Sequence, residues 1–140
     1  MASASTVKAF IAQVHAAASA SQRLTPTIHG IDCSRFWLQG VVVSLTPDEN
    51  SCVIDDGTGV VTIDMKTFRK SIPAGMVPRV TIGDLIMVIG PLQRRTGATQ
   101  TDPDSKHAVL AHQVMPLADQ PEQEAIWFLE VTEFWNMLKA

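Results

Sequence analysis

Asp55-Asp56, the histidines His15, His29, His107 and His112, and the thiols Cys33 and Cys52 have the richest side-chain chemistry in this chain of 140 residues. Paired carboxylates could act as general acid and base, or ligate a hard cation. Adjacent residues on a strand point to opposite faces, however. In Asp55-Asp56-Gly57-Thr58-Gly59 the acids stand at a turn, where they satisfy backbone N–H groups. No further carboxylates at calcium-loop spacing surround them. The histidines are dispersed, and His107 and His112, an odd number apart, would face opposite sides of one strand. The cysteines form no C-x-x-C pair and have no histidine at zinc spacing, so they read as reduced thiols of a nuclear or cytosolic protein. No G-x-S-x-G, P-loop or H-E-x-x-H pattern occurs. The expectation is a protein that is not an enzyme and carries neither metal nor cofactor.

Nucleic-acid binding needs cations gathered on one face and aromatic rings on which bases stack. Two basic clusters qualify: Lys66, Arg69 and Lys70 around Phe68, and the pair Arg94-Arg95. Against them stand a net charge of -3, Asp102 and Asp104 close behind the Arg pair, and the absence of Tyr. Phe10, Phe36, Trp37, Trp127, Phe128, Phe134 and Trp135 all fall in candidate helices or strands, which leaves Phe68 as the one exposed stacker. Direct DNA binding is therefore expected to be weak or absent. No run of 18 apolar residues exists to span a membrane.

These residues must be held by elements that the hydrophobic pattern predicts. Val7, Phe10, Ile11 and Val14 fall at i, i+3, i+4 and i+7, which predicts an amphipathic helix over Thr6–Ser19, with Ser5 or Thr6 as N-cap. The first 35 residues have no acid before Asp32 and are rich in Ala and Ser, so an organelle transit peptide stands as the other reading of that segment. Strands follow at Phe36–Leu45, Ser51–Ile54, Val60–Met65, Asp84–Leu92 and His107–Met115. Gly40 inside the first implies a bulge or bend, and Asp-Gly between the second and third implies a tight hairpin. Lys66–Arg79 holds a short helical turn at most, and Gln93–Lys106 reads as an exposed loop. Pro121 opens a final helix. The fold class is mainly β with flanking helices: a five-stranded OB-fold barrel with an N-terminal helix and a long C-terminal helix. Residues 1–30 form the N-terminal helix and connector, 31–119 the barrel and 120–140 the C-terminal helix, within one structural domain.

At roughly 100° per residue, the final helix spreads Ile126, Met137, Phe134, Trp127, Leu138, Val131, Trp135 and Phe128 over an apolar arc of about 200°, twice the stripe that one core needs. Glu130 inside the arc and Leu129 outside it are exceptions. A lone barrel covers about half such a surface, and an uncovered apolar half-face marks a partner site. The expected partner-helix interface is Trp127, Phe128, Val131, Phe134, Trp135 and Leu138, with the two tryptophans as anchors. The competing expectation is that the N-terminal helix of the same chain packs there.

Three segments resemble the RecQ-mediated genome instability protein 2 family: Phe36-Trp37-Leu38-Gln39-Gly40-Val41-Val42-Val43, Ile54-Asp55-Asp56-Gly57-Thr58-Gly59 and Gly83-Asp84-Leu85-Ile86-Met87-Val88-Ile89-Gly90. Leu117-Ala118-Asp119-Gln120-Pro121 with Glu124-Ala125-Ile126-Trp127-Phe128-Leu129-Glu130-Val131 is similar to that family's last segment and is the most specific part. The Asp-Gly-Thr-Gly hairpin is shared by many barrels related to replication protein A. The resemblance implies a non-catalytic OB-fold subunit that pairs with the C-terminal barrel of RecQ-mediated genome instability protein 1, partly through C-terminal helices. Through that pair it would work with topoisomerase III and a Bloom-type RecQ helicase in double Holliday junction dissolution, in the nucleus. It also makes Lys8 a candidate helicase-docking residue. The hairpin and the acid-free start look plant-type. The alternative function is a single-stranded-DNA-binding module of the replication protein A or telomere-cap type, contacting DNA through Lys66, Phe68, Arg69, Lys70, Arg94 and Arg95.

Overall fold

Alternating inward apolar residues and a closed hydrogen-bond ladder define the architecture. The computed structural model describes residues 6–20, 26–94, 107–117 and 122–139. In chain order the elements are β1 (Val7–Lys8), α1 (Ile11–Ala20), β2 (Thr27–Ile28), β3 (Ile31–Asp32), β4 (Phe36–Leu45), β5 (Ser51–Asp55) and β6 (Val60–Asp64). Then come α2 (Lys66–Ser71), a 3-10 turn (Ala74–Met76), β7 (Leu85–Gly90), β8 (Leu92–Arg94), β9 (His107–Leu110), β10 (Gln113–Pro116) and α3 (Gln123–Lys139).

The sheet runs β10-β7-β4-β5-β6-β9-β8, with β9 parallel to β6 and the other neighbours along this path antiparallel. The two ends of that path belong to bent strands: β7 continues into β8 past Pro91, and β9 into β10 past Ala111-His112. Each bent strand pairs with two neighbours, which closes five long strands into a barrel. Leu110 N–H donates to the Pro91 carbonyl at 2.9 Å and His112 N–H to that of Ile89 at 2.8 Å, stitching the bends together. Gly90 sits where they cross, and a Cβ there would overlap the Leu110 carbonyl. The single long strands expected at Asp84–Leu92 and His107–Met115 are thus each two segments. The bend also breaks strand alternation: Val109, Ala111 and Val114 are all buried, while His112 and Gln113 are exposed.

Strand β4 does carry a bulge, but between Val42 and Ser44 rather than at Gly40. The glycine answers a different need: a Cβ at Gly40 would lie 2.9 Å from the Asp55 carbonyl oxygen. Buried Val7, Ile11, Val14, Phe36, Leu38, Ile54, Ile63, Ile86, Val88, Val109 and Val131 share one continuous hydrophobic cluster, to which both the N-terminal segment and α3 contribute.

The N-terminal segment departs from the expected helix over Thr6–Ser19. Val7 and Lys8 form a strand parallel to Phe36 and Trp37, and Val7 N–H donates to the Arg35 carbonyl at 3.1 Å. The i, i+3, i+4, i+7 pattern is a coincidence of two elements, with Val7 buried from a strand and Ile11 and Val14 buried from the helix. Thr6 cannot then cap α1. Ser5 lies outside the described residues, and Thr6 precedes the strand.

The caps come instead from the Asp-Asp-Gly-Thr-Gly hairpin. Asp56 Oδ2 accepts the Ile11 N–H at 2.8 Å, and Thr58 Oγ1 accepts that of Ala12 at 3.1 Å. Gln13 Oε1 reaches back to the Phe10 N–H at 2.8 Å, half of a capping box. His15 Nε2 lies 2.6 Å from the Val60 carbonyl and ties the next turn to β6. Helix N-termini expose unpaired N–H groups and a partial positive charge, and a carboxylate answers both. Asp55 and Asp56 also satisfy the turn itself, accepting the Gly57 and Thr58 N–H groups at 2.8 Å each.

Candidate partner-binding site

Helix α3 lies across the outside of β4, and its seat is fixed by β4's outward residues. Gln39, the one buried polar residue among those described, donates to the Gln123 carbonyl at 3.1 Å and accepts from Gln123 Nε2 at 3.4 Å. Four residues along α3, Trp127 stacks at a tilt on Trp37, with ring centroids 6.2 Å apart. A buried amide pair costs dearly when mismatched, so Gln39 fixes where the first turn of α3 must sit. The helix begins at Gln123; Pro121, expected to open it, lies outside the described residues.

Lys8 locks the arrangement from the other side. Its ammonium lies 4.7 Å from the Trp37 ring centroid and 5.9 Å from that of Trp127, and 3.8 Å from Glu130 Oε2. A cation over two indoles beside a carboxylate ties β1 to α3. Lys8 thus has an internal role that its expected docking role did not include, and a partner would have to share its ammonium with Glu130. Phe10 extends the contact, its ring centroid 5.1 Å from that of Phe128. The competition for the α3 surface is therefore met in part by the N-terminal segment, through β1 and Phe10 rather than through a helix.

The division of α3 differs from the expected interface. Trp127 is 3% exposed, Val131 0% and Trp135 4%, all turned onto the chain's own barrel. Their burial makes these three part of the chain's own core, in contrast to the exposed anchors expected. Trp135 packs edge-on against Phe134 and His29, centroids 5.2 and 5.3 Å away. His29 reaches it from the β2–β3 turn, where His29 and Gly30 both adopt positive φ, as a two-residue type I′ turn requires. The indole N–H groups of Trp37, Trp127 and Trp135 are buried with no hydrogen-bond partner among the described residues. These rings contribute area rather than hydrogen bonds.

The exposed side of α3 carries apolar side chains among polar Glu124, Thr132, Glu133 and Asn136. Phe128 is 58% exposed, Leu129 68% and Met137 72%, with Ile126 and Leu138 also exposed and Phe134 half-buried. Ile126, Leu129 and Met137 fall within about 80° of one another at 100° per residue, in one stripe that exposed Glu133 interrupts. Of the six residues expected at the interface, Phe128 and Leu138 are on the surface. Leu129, set aside as an exception, and Ile126 and Met137, placed at an edge, supply the stripe. Their i, i+3 and i+11 spacing is the signal that could have found them.

The apolar surface continues onto the barrel. Outward residues of β4, β7 and β10 stand in register as Trp37–Ile89–Gln113 and Gln39–Met87–Met115. The helix covers the β4 members, whereas Met115 is exposed.

The second expected site gathers only in part. Lys66, Phe68, Arg69 and Lys70 share α2, with Phe68 half-buried. Arg69 is committed to the β4–β5 turn: its guanidinium donates to the Asp48 carbonyl at 2.7 Å and to Asn50 Oδ1 at 3.2 Å, and lies 3.8 Å from Glu49. Arg94 ends β8, and Arg95 lies outside the described residues. Among the described residues no three His, Cys, Asp or Glu side chains come together as a metal site, and no helix is long and apolar enough to cross a membrane. Burial pushes the Cys33 thiol up to about 11 and the Cys52 thiol up to about 12, away from the thiolate form that reacts.

Known structures share this architecture. A chain of the S. pombe Stn1–Ten1 complex superposes with a TM-score of 0.66 at 17% identity, covering 92% of this chain and 90% of that one. A chain of a replication protein A heterotrimer bound to single-stranded DNA gives 0.68 at 13% identity, with 92% and 93% covered. A chain from the yeast Stn1 and Ten1 structure gives 0.67 at 13%, with 97% and 75% covered. At these identities the likeness shows the OB fold alone. No curated protein sequence matches the chain. The family model for RecQ-mediated genome instability protein 2 matches residues 5–135, a span from the N-terminal strand through the buried Trp135 of α3. The chain belongs to the RecQ-mediated genome instability protein 2 family.

Proposed function

We propose that this protein is a non-catalytic scaffold subunit that pairs with the C-terminal barrel of RecQ-mediated genome instability protein 1 through the outward stripe of α3. In this role it supports a topoisomerase III and Bloom-type RecQ helicase assembly that dissolves double Holliday junctions in the nucleus. The observation that carries the reading is the stripe itself: Ile126, Leu129 and Met137 stand exposed on a helix whose opposite side is already seated. Side chains of this size contribute roughly 1.5–3 kcal/mol each when fully buried, which a helix from a partner would supply. Family membership supports the choice of partner. The contact made at Ile126, Leu129 and Met137 leaves the tryptophans undisturbed.

Co-expression with the C-terminal barrel of the larger subunit, followed by light scattering, tests this directly. The expected result is a 1:1 complex that Leu129→Asp combined with Met137→Asp dissociates, while Lys70→Glu leaves it intact. A well-behaved monomer that ignores the partner at micromolar concentration refutes the proposal.

A further inference from the structure

A second site lies at the barrel end beneath α2 and the 3-10 turn, and none of its lining residues belongs to α3. It is a cavity of about 320 Å³ with Met65, Phe68, Val80 and Val114 among its apolar walls and Arg69 and Arg79 on its lining. That volume is at the small end for ligand pockets, enough for a large side chain rather than a dinucleotide or a folded cofactor. A second cavity of about 310 Å³ shares Arg69, Ala74 and Val77 with the first and adds Lys70 and Ile72. Exposed Met76, an adaptable apolar side chain, stands on the 3-10 turn between Ala74 and Val77.

The charge around the two cavities is mostly positive. From Met65 to Gly83 the chain contains Lys66, Arg69, Lys70 and Arg79 and no Asp or Glu, in a protein whose net charge is -3. The acid on the lining, Glu49, is paired with Arg69 at 3.8 Å. Lys66, Lys70 and Arg79 are exposed and make no ion pair among the described residues. Helix α2 buries none of its own residues in the core, so this concentration of cations over apolar hollows is not explained by packing. A single-strand groove would need several displayed rings in series, and here one ring, Phe68, is half-buried in a cavity wall.

We infer that this end of the barrel binds an acidic peptide segment of another protein, inserting one large apolar side chain into the larger cavity while its carboxylates meet Arg79, Lys70 and Lys66. Charge complementarity selects the peptide and speeds its arrival, and the apolar insertion supplies retention.

The probe is a fluorescein-labelled dodecapeptide of Asp and Glu with a single central Phe, titrated with the full chain and read by anisotropy. Replacing the peptide's Phe by Ala should weaken binding roughly tenfold or more, the scale set by burying one such side chain. Arg79→Glu with Lys70→Glu should weaken it to a similar degree. Ala74→Trp fills the cavity mouth from an exposed position and should abolish binding with the melting temperature unchanged. Equal binding of the Phe and Ala peptides would reduce the site to bulk charge and overturn the inference, as would indifference to Ala74→Trp. So would no detectable binding of the Phe peptide at low salt. An oligothymidylate of equal length that binds tighter, and is lost in the same variants, would assign the surface to nucleic acid instead.

Discussion

Trp135→Ala should destabilise the fold of this protein itself rather than merely separate it from a partner. The indole is 4% exposed and wedged against Phe134 and His29 with centroids 5.2 and 5.3 Å away. Truncating a buried Trp removes its transfer free energy and leaves a cavity, at a cost of about 3–5 kcal/mol. The whole stability of a domain is roughly 5–15 kcal/mol, so the melting temperature should fall by roughly 10–20 °C. Trp135→Phe should cost distinctly less, because the indole N–H has no partner among the described residues to lose. Leu129→Asp, on the exposed stripe, should stay within about 0.5 kcal/mol of the parent. Thermal melts and urea denaturation of the chain alone, followed by circular dichroism, read all three variants. The reasoning is refuted if Trp135→Ala melts like the parent while losing the larger subunit, or if Leu129→Asp melts like Trp135→Ala. Either outcome would mean that α3 is turned about its axis relative to the barrel.

Asp56→Ala removes both the Ile11 cap and the turn bonds to Thr58, and should destabilise by about 1–2 kcal/mol in urea; Asp56→Asn, which keeps an acceptor oxygen, should lose less. Lys8→Met keeps the stem over Trp37 and Trp127 but loses the charge, and should cost about 0.5–1 kcal/mol. Its double-mutant coupling to Glu130→Gln should be small, because the 3.8 Å pair is partly exposed to water. The thiols give a pH prediction with a definite sign. Burial raises Cys33 to about 11 and Cys52 to about 12 from an ordinary 9.0. Their contribution to stability is intact below about pH 9 and is lost as the pH climbs through the folded values, because the unfolded thiols ionise first. Urea midpoints taken from pH 8 upward should therefore decline, and the folded chain should resist thiol reagents at pH 8 until it is unfolded.

The strands were legible where β-branched runs ended at turn residues. Phe36–Leu45 has the expected bounds, and the Asp-Gly turn joins Ser51–Asp55 to Val60–Asp64 as alternation predicts. Legibility failed where one residue answers to two neighbours. Asp84–Leu92 read as one strand, but the backbone bends at Gly90-Pro91 and continues into Leu92–Arg94, paired with a strand thirteen or more residues away. Periodicity in one segment carries no record of such non-local pairing. The same limit misread Val7, whose backbone bonds to Arg35 across a sequence gap, so its spacing to Ile11 mimicked a helix. The Asp-Asp pair was legible as a turn, but its second task, capping a helix more than forty residues earlier, was not.

The final helix shows why its width could be read and its orientation could not. A helical wheel reports which residues are neighbours around an axis, and the apolar arc around α3 is indeed too wide for one core. It does not report which sector faces in. That is decided by what the barrel offers: Trp37, Gln39 and Lys8 form a strip that matches Trp127, Gln123 and Glu130, and matching these three fixes the rotation. Large aromatics at an interface are a sound prior, yet here the largest rings fill the chain's own hollow first, because intrachain burial carries no association entropy. The face left exposed is then aliphatic and sulfur-bearing at Ile126, Leu129 and Met137, around exposed Glu133. The proposed partner surface on α3 is therefore read by subtraction, from the apolar side chains that the barrel has no room to cover.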